Sequence, residues 1–345
     1  MMNGFISLRR MDHNRRRLIA RKRGEDETLI KDAETPIDIW HLPPPVEEFG
    51  TAVTLVNLKD NASQGRGVYL LINCGASDRA VSKYLVPALR GIGVKMDDIR
   101  YLLFTDCSPE SSGGVHKVCQ LAHNITVLTS GAQAEYLKNP SYRFMKKWED
   151  YLDDSPPYRE LSGMIPDGTV AGHWTDSRLE PYRLQGYSVD SVCWYCKAWN
   201  LFVCGGQVQG RGSKKTGTAI IESQVSYIES LDRLLNESPE YLLLGAKPKD
   251  QPYIVSGFIE CKKAINASRD VIAEYNKYAT SYAQKNGVKK ENIDIELLTE
   301  EYFKYTREKP FRKGYAMRTF DFLLHPKKYK QKFASECAKN ASQNA

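Results

Sequence analysis

The sequence predicts an α/β protein in which helices cover mixed β-sheets. Apolar, β-branched runs alternate with segments of helical periodicity, and an all-strand stretch interrupts that alternation before strand and helix return. The chain has 345 residues and is 41% hydrophobic, which is enough to bury a large core. We therefore expect one large layered domain with an appendage.

The order of the predicted elements follows from local patterns. The proline cluster in 36-PIDIWHLPPP-45 excludes a helix, and two apolar runs after it predict a hairpin of strands. The expected strands are residues 51–58, 67–75, 100–104, 125–129, 179–184, 190–196, 201–206 and 241–245. The expected helices are residues 79–92, 114–122, 131–138 and 222–236, followed by charged, Tyr-rich helical segments at 253–285 and 296–330.

These patterns divide the chain into three parts. Residues 1–35 form a basic arm, residues 36–252 form the layered domain, and residues 253–345 form a C-terminal helical extension. The apolar positions of the extension have helical spacing, which suits packing on the body or pairing with another chain. The pattern does not decide between these two roles.

The first 24 residues of the arm account for the net charge of +7. They contain eight Lys or Arg and a single acid, Asp12, so the rest of the chain is neutral. Such an arm is compatible with phosphate contact, an organelle address or plain disorder. We expect disorder, the usual behaviour of charged termini, and nucleic-acid binding has only this weak support.

The composition predicts a cytoplasmic protein that does not enter the membrane. No apolar run approaches the roughly 20 residues of a membrane-spanning helix, and no unbroken apolar segment of signal-peptide type occurs near the start. Eight cysteines in 345 residues are too dilute for a disulfide scaffold. We expect them to be reduced.

One loop has the form of a site at the carboxyl end of a strand. In 101-YLLFTDCSPESSGGVHKV-118 an apolar strand ends at Thr105, a polar loop follows, and a helix begins after two glycines. The loop contains two acids, Asp106 and Glu110, and no histidine. The sequence therefore predicts a polar pocket whose chemistry depends on few titratable groups.

Five ordered segments resemble the metallo-β-lactamase superfamily over roughly residues 45–285. They are 70-LLINCGAS-77, 99-IRYLLFTDCSPESSGGV-115, 186-GYSVDSVCWY-195, 201-LFVCGGQVQGRG-212 and 242-LLLGAKPKD-250. The resemblance implies a four-layer αββα sandwich with a C-terminal helical extension, as in the family's branch of small-molecule and thioester hydrolases. It also implies one or two zinc ions that activate a water for hydrolysis.

The residues at the family's ligand positions depart from that pattern. The first loop of the family reads Thr-His-x-His-x-Asp-His, where this chain has Thr105, Asp106, Cys107, Ser108, Pro109, Glu110 and Ser111. The later ligands, a histidine, a bridging aspartate and a histidine, correspond to Tyr187, Gly206 and Ala246. The Asp-x-Gly near the second strand corresponds to Asn73, Cys74 and Gly75. The resemblance therefore extends to the scaffold and not to the ligand set.

We expect no zinc ions in this protein. Zinc requires three or four thiolate, imidazole or carboxylate ligands, and a serine hydroxyl is a poor substitute. Asp106 and Glu110, with Cys107 beside them, would at best hold a magnesium or calcium ion loosely. We define the strand-end pocket by the residues at or near these positions: Asp106, Cys107, Ser108, Glu110, Ser111, Tyr187, Gly206, Ala246 and Lys247.

A repurposed nucleophile is the main catalytic alternative. Cys107 or Ser108 would attack, with Asp106 or Glu110 as the base, but an activated nucleophile usually needs an oriented imidazole. The helix after the loop places His116 toward solvent, and the position of His173 is not predicted. We favour a plain thiol at Cys107.

Two further motifs have simple structural interpretations. Cys193 and Cys196 resemble a metal or redox pair, but their spacing in a strand points them to opposite faces. Lys247 and Lys249, with 211-RGSKK-215, would give the pocket mouth a positive edge suited to an anionic ligand. A solvated loop explains the same lysines.

The sequence predicts a catalytically inactive relative of the superfamily that acts as a binding or assembly module. Its expected partners are a small anionic ligand, a protein, or a related chain in a homo- or hetero-oligomer. The alternative is a hydrolase of a small ester, thioester or lactone with an atypical metal site or none.

Overall fold

The computed structural model describes most of the predicted domain and extension. Side chains are described for residues 37–45, 50–59, 67–128, 137, 174–188, 191–213, 216–249, 251–307 and 313–326. Only the backbone is described for residues 6–11, 17–22 and 28–31. The helix predicted at 131–138, apart from residue 137, and His173 lie outside the described residues.

The first sheet has eight strands in the order β2-β1-β3-β4-β5-β6-β7-β8. They are β1 (Ile6–Met11), β2 (Arg17–Lys22), β3 (Thr28–Lys31), β4 (Ile37–Leu42), β5 (Val53–Leu58), β6 (Val68–Ile72), β7 (Ile99–Leu103) and β8 (Thr126–Val127). The β5–β6 hairpin is antiparallel as predicted, and β6, β7 and β8 are parallel. Parallel strands align their carboxyl ends at one edge of the sheet, where loops can build a site.

The arm contains strands where the sequence predicts disorder. Over residues 1–35, β1 and β2 form an antiparallel pair, and β1 runs parallel to β3, which pairs antiparallel with β4. Pairing at a sheet edge uses backbone groups, so a charged segment can add strands without an apolar core of its own. The boundaries of the three parts of the chain stay a prediction.

The second sheet has five strands in the order β13-β12-β11-β10-β9. They are β9 (Glu180–Arg183), β10 (Val192–Cys196), β11 (Leu201–Cys204), β12 (Tyr241–Leu244) and β13 (Ile254–Ser256). β11 and β12 are parallel, and the other neighbours are antiparallel. β13 corrects the helix predicted from residue 253, because pairing with the buried strand β12 overrides local helical spacing.

Helices flank the two sheets on their outer faces. They are α1 (Asp78–Ala80), α2 (Val86–Gly91), α3 (Pro109–Ser112), α4 (Val115–Leu121), α5 (Gln224–Asn236), α6 (Phe258–Asn286), α7 (Ile295–Thr306) and α8 (Lys313–Leu324). A π-helical turn, Val81–Leu85, joins α1 to α2 just before Pro87, which cannot donate a backbone hydrogen bond. Short 3₁₀ turns occupy Met96–Asp98, Lys197–Trp199 and Lys290–Asn292.

Three buried clusters define four layers. Leu55, Leu71 and Leu89 belong to a cluster between the first sheet and its helices. A second cluster lies between the two sheets, and a third joins the second sheet to α5–α8. The αββα sandwich predicted from the sequence is confirmed, and the C-terminal helices pack on the body. None of the described helices combines the length and apolar character needed to cross a membrane.

Candidate functional site

The strand-end pocket is built on the loop that follows β7. Phe104 is buried, Thr105 and Asp106 are fully buried, and α3 begins at Pro109, whose fixed φ suits the first turn of a helix. The loop therefore turns within three residues and directs Asp106 inward.

The carboxylate of Asp106 accepts four hydrogen bonds from its own loop. Oδ2 accepts from Thr105 Oγ1 at 2.9 Å and from Ser111 Oγ at 3.1 Å. Oδ1 accepts from the backbone nitrogen of Ser108 at 3.0 Å and from Ser108 Oγ at shorter range. Both oxygens therefore have two donors each, which is the capacity of an ionised carboxylate. We call Asp106, Thr105, Ser108 and Ser111 the Asp106 cluster.

A second ring of polar groups holds this cluster in place. Asn73 has a positive φ of 66°, and its side chain accepts from the nitrogen of Thr105 at 2.9 Å and donates to Thr105 Oγ1 at 3.1 Å. Thr51 Oγ1 donates to Ser111 Oγ at 3.2 Å. Thr51 therefore donates to Ser111, which in turn donates to Asp106. The side chain of Asn73 connects the end of β6 to Thr105 at the end of β7.

Tyr187 closes the pocket from the second sheet. Its side chain is buried, and burial, followed by the charges of Asp106 and Glu110, raises its pKa well above the ordinary value. The phenol is therefore protonated at neutral pH, and Ser108 lies close enough to affect its pKa. A Cβ at Gly206 would overlap the Tyr187 ring, so the ring fills the space that a side chain at position 206 would need.

The remaining residues predicted for the pocket differ in their exposure to solvent. Glu110 is buried, and its backbone oxygen accepts from the nitrogen of Thr51 at 2.9 Å. Cys107 is half-buried and packs against the core on the helix side of the first sheet. Ala246 is half-buried and Lys247 is exposed. The structure therefore brings together the polar residues of the first loop with Tyr187 and Gly206.

Two of the basic side chains predicted at the pocket mouth bind to other residues of the chain. Lys249 Nζ donates to the backbone oxygen of Gly217 at 2.9 Å, and Arg211 forms an ion pair with Glu274. Lys214 and Lys215 lie outside the described residues. Lys247 is the predicted cation whose described side chain is directed to solvent. An anionic ligand at this edge stays a prediction.

His41, which the sequence analysis did not single out, joins the two sheets. Its Nδ1 lies 2.9 Å from Thr54 Oγ1, and its Nε2 donates to the backbone oxygen of Leu244 at 3.0 Å. Burial lowers the pKa of His41 to about 4, so the imidazole is neutral. The signal was the period of two in Ile37, Ile39 and His41, which places the histidine on the inward face of β4.

The structure also gives the positions of His116 and of the thiols of Cys193 and Cys196. His116 is only half-buried, and its Nδ1 lies 3.1 Å from Asp78 Oδ2, so it pairs locally on the helix side of the first sheet. Cys193 and Cys196 lie in different buried clusters, on opposite faces of the second sheet. The prediction that these two thiols point apart is confirmed.

Solved structures with this architecture are metallo-β-lactamase relatives. The chain superposes on a metallo-β-lactamase family protein from Thermus thermophilus with a TM-score of 0.57 at 14% identity, covering 84% of this chain and 93% of that one. A β-lactamase domain protein from Burkholderia ambifaria gives a TM-score of 0.58 at 13% identity, covering 87% and 88%. No protein-family model and no curated protein matches the sequence. The chain has the metallo-β-lactamase fold.

The described residues do not fit the zinc ions that this fold implies. Among them, no group of three or more His, Cys, Asp and Glu side chains is placed to hold a metal ion. The carboxylate of Asp106 already accepts four hydrogen bonds, so it has no lone pair directed at a metal. The Tyr187 ring fills the space beside Gly206. We therefore derive no chemical step through zinc.

Proposed function

We propose that this protein is a non-catalytic member of the metallo-β-lactamase fold that works as a binding or assembly module. The observation that carries the proposal is the Asp106 cluster, in which hydroxyl and amide donors surround the carboxylate at the end of β7. A donor shell of this kind stabilises a buried carboxylate as a fixed structural group. The same shell leaves the site without a means to activate water.

A hydrolase without metal is the second candidate, and one contact favours it. Ser108 Oγ donates to Asp106 Oδ1 and lies near Tyr187, so a serine hydroxyl has an acid and a phenol beside it. A carboxylate that accepts four hydrogen bonds is a weak base, because those bonds stabilise its ionised form. Ser108 is therefore poorly activated, and we rank this candidate second.

Metal content is the direct test of the proposal. The full chain is purified untagged without added metal or chelator, and transition metals are measured by elemental analysis. We expect well below one equivalent per chain. A dinuclear hydrolase of this fold contains one or two equivalents. A stoichiometric metal that is lost in Asp106→Ala and retained in the surface variant Asp97→Ala would overturn the proposal.

Turnover separates the two candidates. The wild-type chain is assayed with a generic thioester and a generic ester, together with Ser108→Ala, Glu110→Ala and Cys107→Ala. We expect the wild type and all three variants to be equal to the background rate. Turnover by the wild type that one of these variants abolishes, while His123→Gln retains it, would establish the hydrolase.

A further inference from the structure

Two buried cysteines lie opposite each other on the neighbouring strands β10 and β11 of the second sheet. The antiparallel register of β10 and β11 pairs Trp194 with Val203, and one step further along brings Cys193 opposite Cys204. Directly opposite residues of an antiparallel pair place their side chains on the same face. Both side chains are buried and belong to the cluster between this sheet and α5–α8.

The geometry of this pair suits a covalent bond. Opposite residues in an antiparallel ladder have Cα atoms about 4.5 or 5.5 Å apart, and a disulfide spans about 4.4–6.8 Å. The two thiols lie close enough for Cys204 to raise the pKa of Cys193. Cys196 lies on the same strand, but the register places Leu201 opposite it. Cys261 belongs to the same cluster on α6, where its Sγ donates to the backbone oxygen of Val255.

We propose that Cys193 and Cys204 are a site of reversible oxidation that forms an intrachain disulfide between β10 and β11. With a peroxide as oxidant, one thiol sulfur takes an oxygen from hydrogen peroxide to give a sulfenic acid and water. The second sulfur then attacks the sulfenic sulfur, the S–O bond breaks, and a second water leaves. Two thiols are oxidised, one peroxide is reduced, and a dithiol reductant reverses the bond by exchange.

Gln207 connects the pair to the start of the Asp106 loop. Cys193 Sγ lies 3.9 Å from Gln207 Oε1, and Gln207 Nε2 donates to the backbone oxygen of Thr105 at 3.4 Å. The nitrogen of Val192 donates to the same Thr105 oxygen at 2.8 Å. A disulfide at Cys193 removes the S–H that Cys193 donates to Gln207 Oε1, and Gln207 helps to hold the start of the Asp106 loop.

Burial lowers the rate at which the two thiols are oxidised. Burial and the contact with Cys204 raise the pKa of the Cys193 thiol well above the ordinary value. Thiolate is the reactive form, so we expect this pair to react more slowly than the half-buried Cys107. Small oxidants such as hydrogen peroxide and diamide are the suitable probes, because neither requires a large opening of the core.

Peptide mapping of the folded full-length chain tests the proposal. The protein is exposed to graded peroxide or diamide, remaining thiols are alkylated under denaturing conditions, and a tryptic digest is analysed without reduction. Lys197 lies between the two cysteines, so trypsin separates them unless a disulfide joins the peptides. We expect the joined pair, two hydrogens lighter than the separate peptides, and its disappearance after dithiothreitol.

Single variants identify the cysteines involved. Cys193 and Cys196 share a tryptic peptide, so Cys196→Ala is the matched control and should retain the cross-link. Cys193→Ala and Cys204→Ala should lose it. Should these two variants fail to fold, the map of Cys196→Ala alone assigns the bond. Recovery of alkylated Cys193 and Cys204 at every oxidant dose and incubation time at which the chain stays folded overturns the proposal, as does a cross-link of either residue to another cysteine.

Discussion

At the residue scale, the Asp106 cluster shows how a carboxylate is accommodated at a position that resembles a metal-ligand position. The four donors to Asp106 come from Thr105, Ser108 and Ser111, residues within five positions of it along the chain. The local sequence is therefore self-sufficient, because the loop supplies both the charge and the groups that stabilise it.

Substitution of Asp106 tests that role. Asp106→Asn replaces one carboxylate oxygen by a donor that faces other donors, so we expect a loss of about 3 kcal/mol in the free energy of unfolding. Urea denaturation measures it. Asp97→Asn is the control, because that side chain is 60% exposed and should change stability little. An unchanged midpoint for Asp106→Asn would contradict the interpretation of the cluster as a stabilising unit.

Because His41 is buried with a lowered pKa, we expect the free energy of unfolding to depend on pH. Its pKa is about 4 in the folded chain and 6.5 when exposed, so the unfolded state binds more protons between these values. The stabilisation is complete above pH 6.5 and is lost as the pH falls through 4. The shift corresponds to about 3 kcal/mol.

Denaturation at a series of pH values measures this contribution. We expect the wild type to lose more stability than His41→Gln between pH 6.5 and 4, since glutamine retains a donor for Leu244 without titrating. His123→Gln is the control for replacing a histidine at the surface, because the His123 side chain is 76% exposed. Parallel curves for wild type and His41→Gln would show that the pKa of His41 is the same in the folded and unfolded chain.

At the element scale, α8 holds the loop that positions Tyr187. Arg318 Nη2 donates to Glu222 Oε1 at 2.8 Å, and both side chains are at most 5% exposed. The nitrogen of Glu222 donates to the backbone oxygen of Gly186 at 2.7 Å. Thr319 Oγ1 donates to the backbone oxygen of Ala219 at 3.0 Å. The C-terminal extension is thereby connected to the residue that closes the pocket.

Breaking the buried ion pair should be costly. Arg318→Met leaves the Glu222 carboxylate buried without its cation, and we expect a loss of about 3–5 kcal/mol in the free energy of unfolding. Arg269→Met is the matched control, because its pair with Asp232 is 45% and 42% exposed and should contribute at most about 1 kcal/mol. Chemical denaturation of both variants gives the comparison, and equal losses would refute a special role for the Arg318 pair.

At the scale of the whole molecule, the second sheet and the C-terminal helices share one core. Phe202 and Leu242 of the sheet lie in the same buried cluster as Ala264, Ile265 and Tyr275 of α6. β13 belongs to the sheet although it follows residue 252. The predicted domain and its extension therefore form a single packing unit in the part of the chain that the structure describes.

Truncation tests this unity. A chain that ends at residue 252 lacks β13 and α6–α8, which exposes one apolar face of the second sheet. We expect this chain to lose the cooperative heat-absorption peak that the full chain shows in differential scanning calorimetry, because the lost apolar contacts offset much of the conformational entropy. A sharp transition in the truncated chain would instead establish residues 253–345 as a separate domain.

The sequence by itself determined the architecture and the departures from the ligand pattern. Strand and helix periodicity are local properties, so the order of most elements and the layering of helices over mixed sheets could be predicted from the chain. The four-layer αββα arrangement was implied by the resemblance, and the residues at positions 106, 187, 206 and 246 are read directly. The β13 strand and the arm strands were missed because edge pairing is decided by neighbours and not by local pattern.

Only the tertiary structure decided which side chains meet. The contacts of His41 with Leu244, of Arg318 with Glu222, and of Tyr187 with Gly206 join segments whose separation along the chain carries no information about distance. Packing selects these partners, because a buried polar group must find a hydrogen bond and a buried ring must fill a space. The chain therefore encodes its fold in local patterns and its site in contacts that exist only after folding.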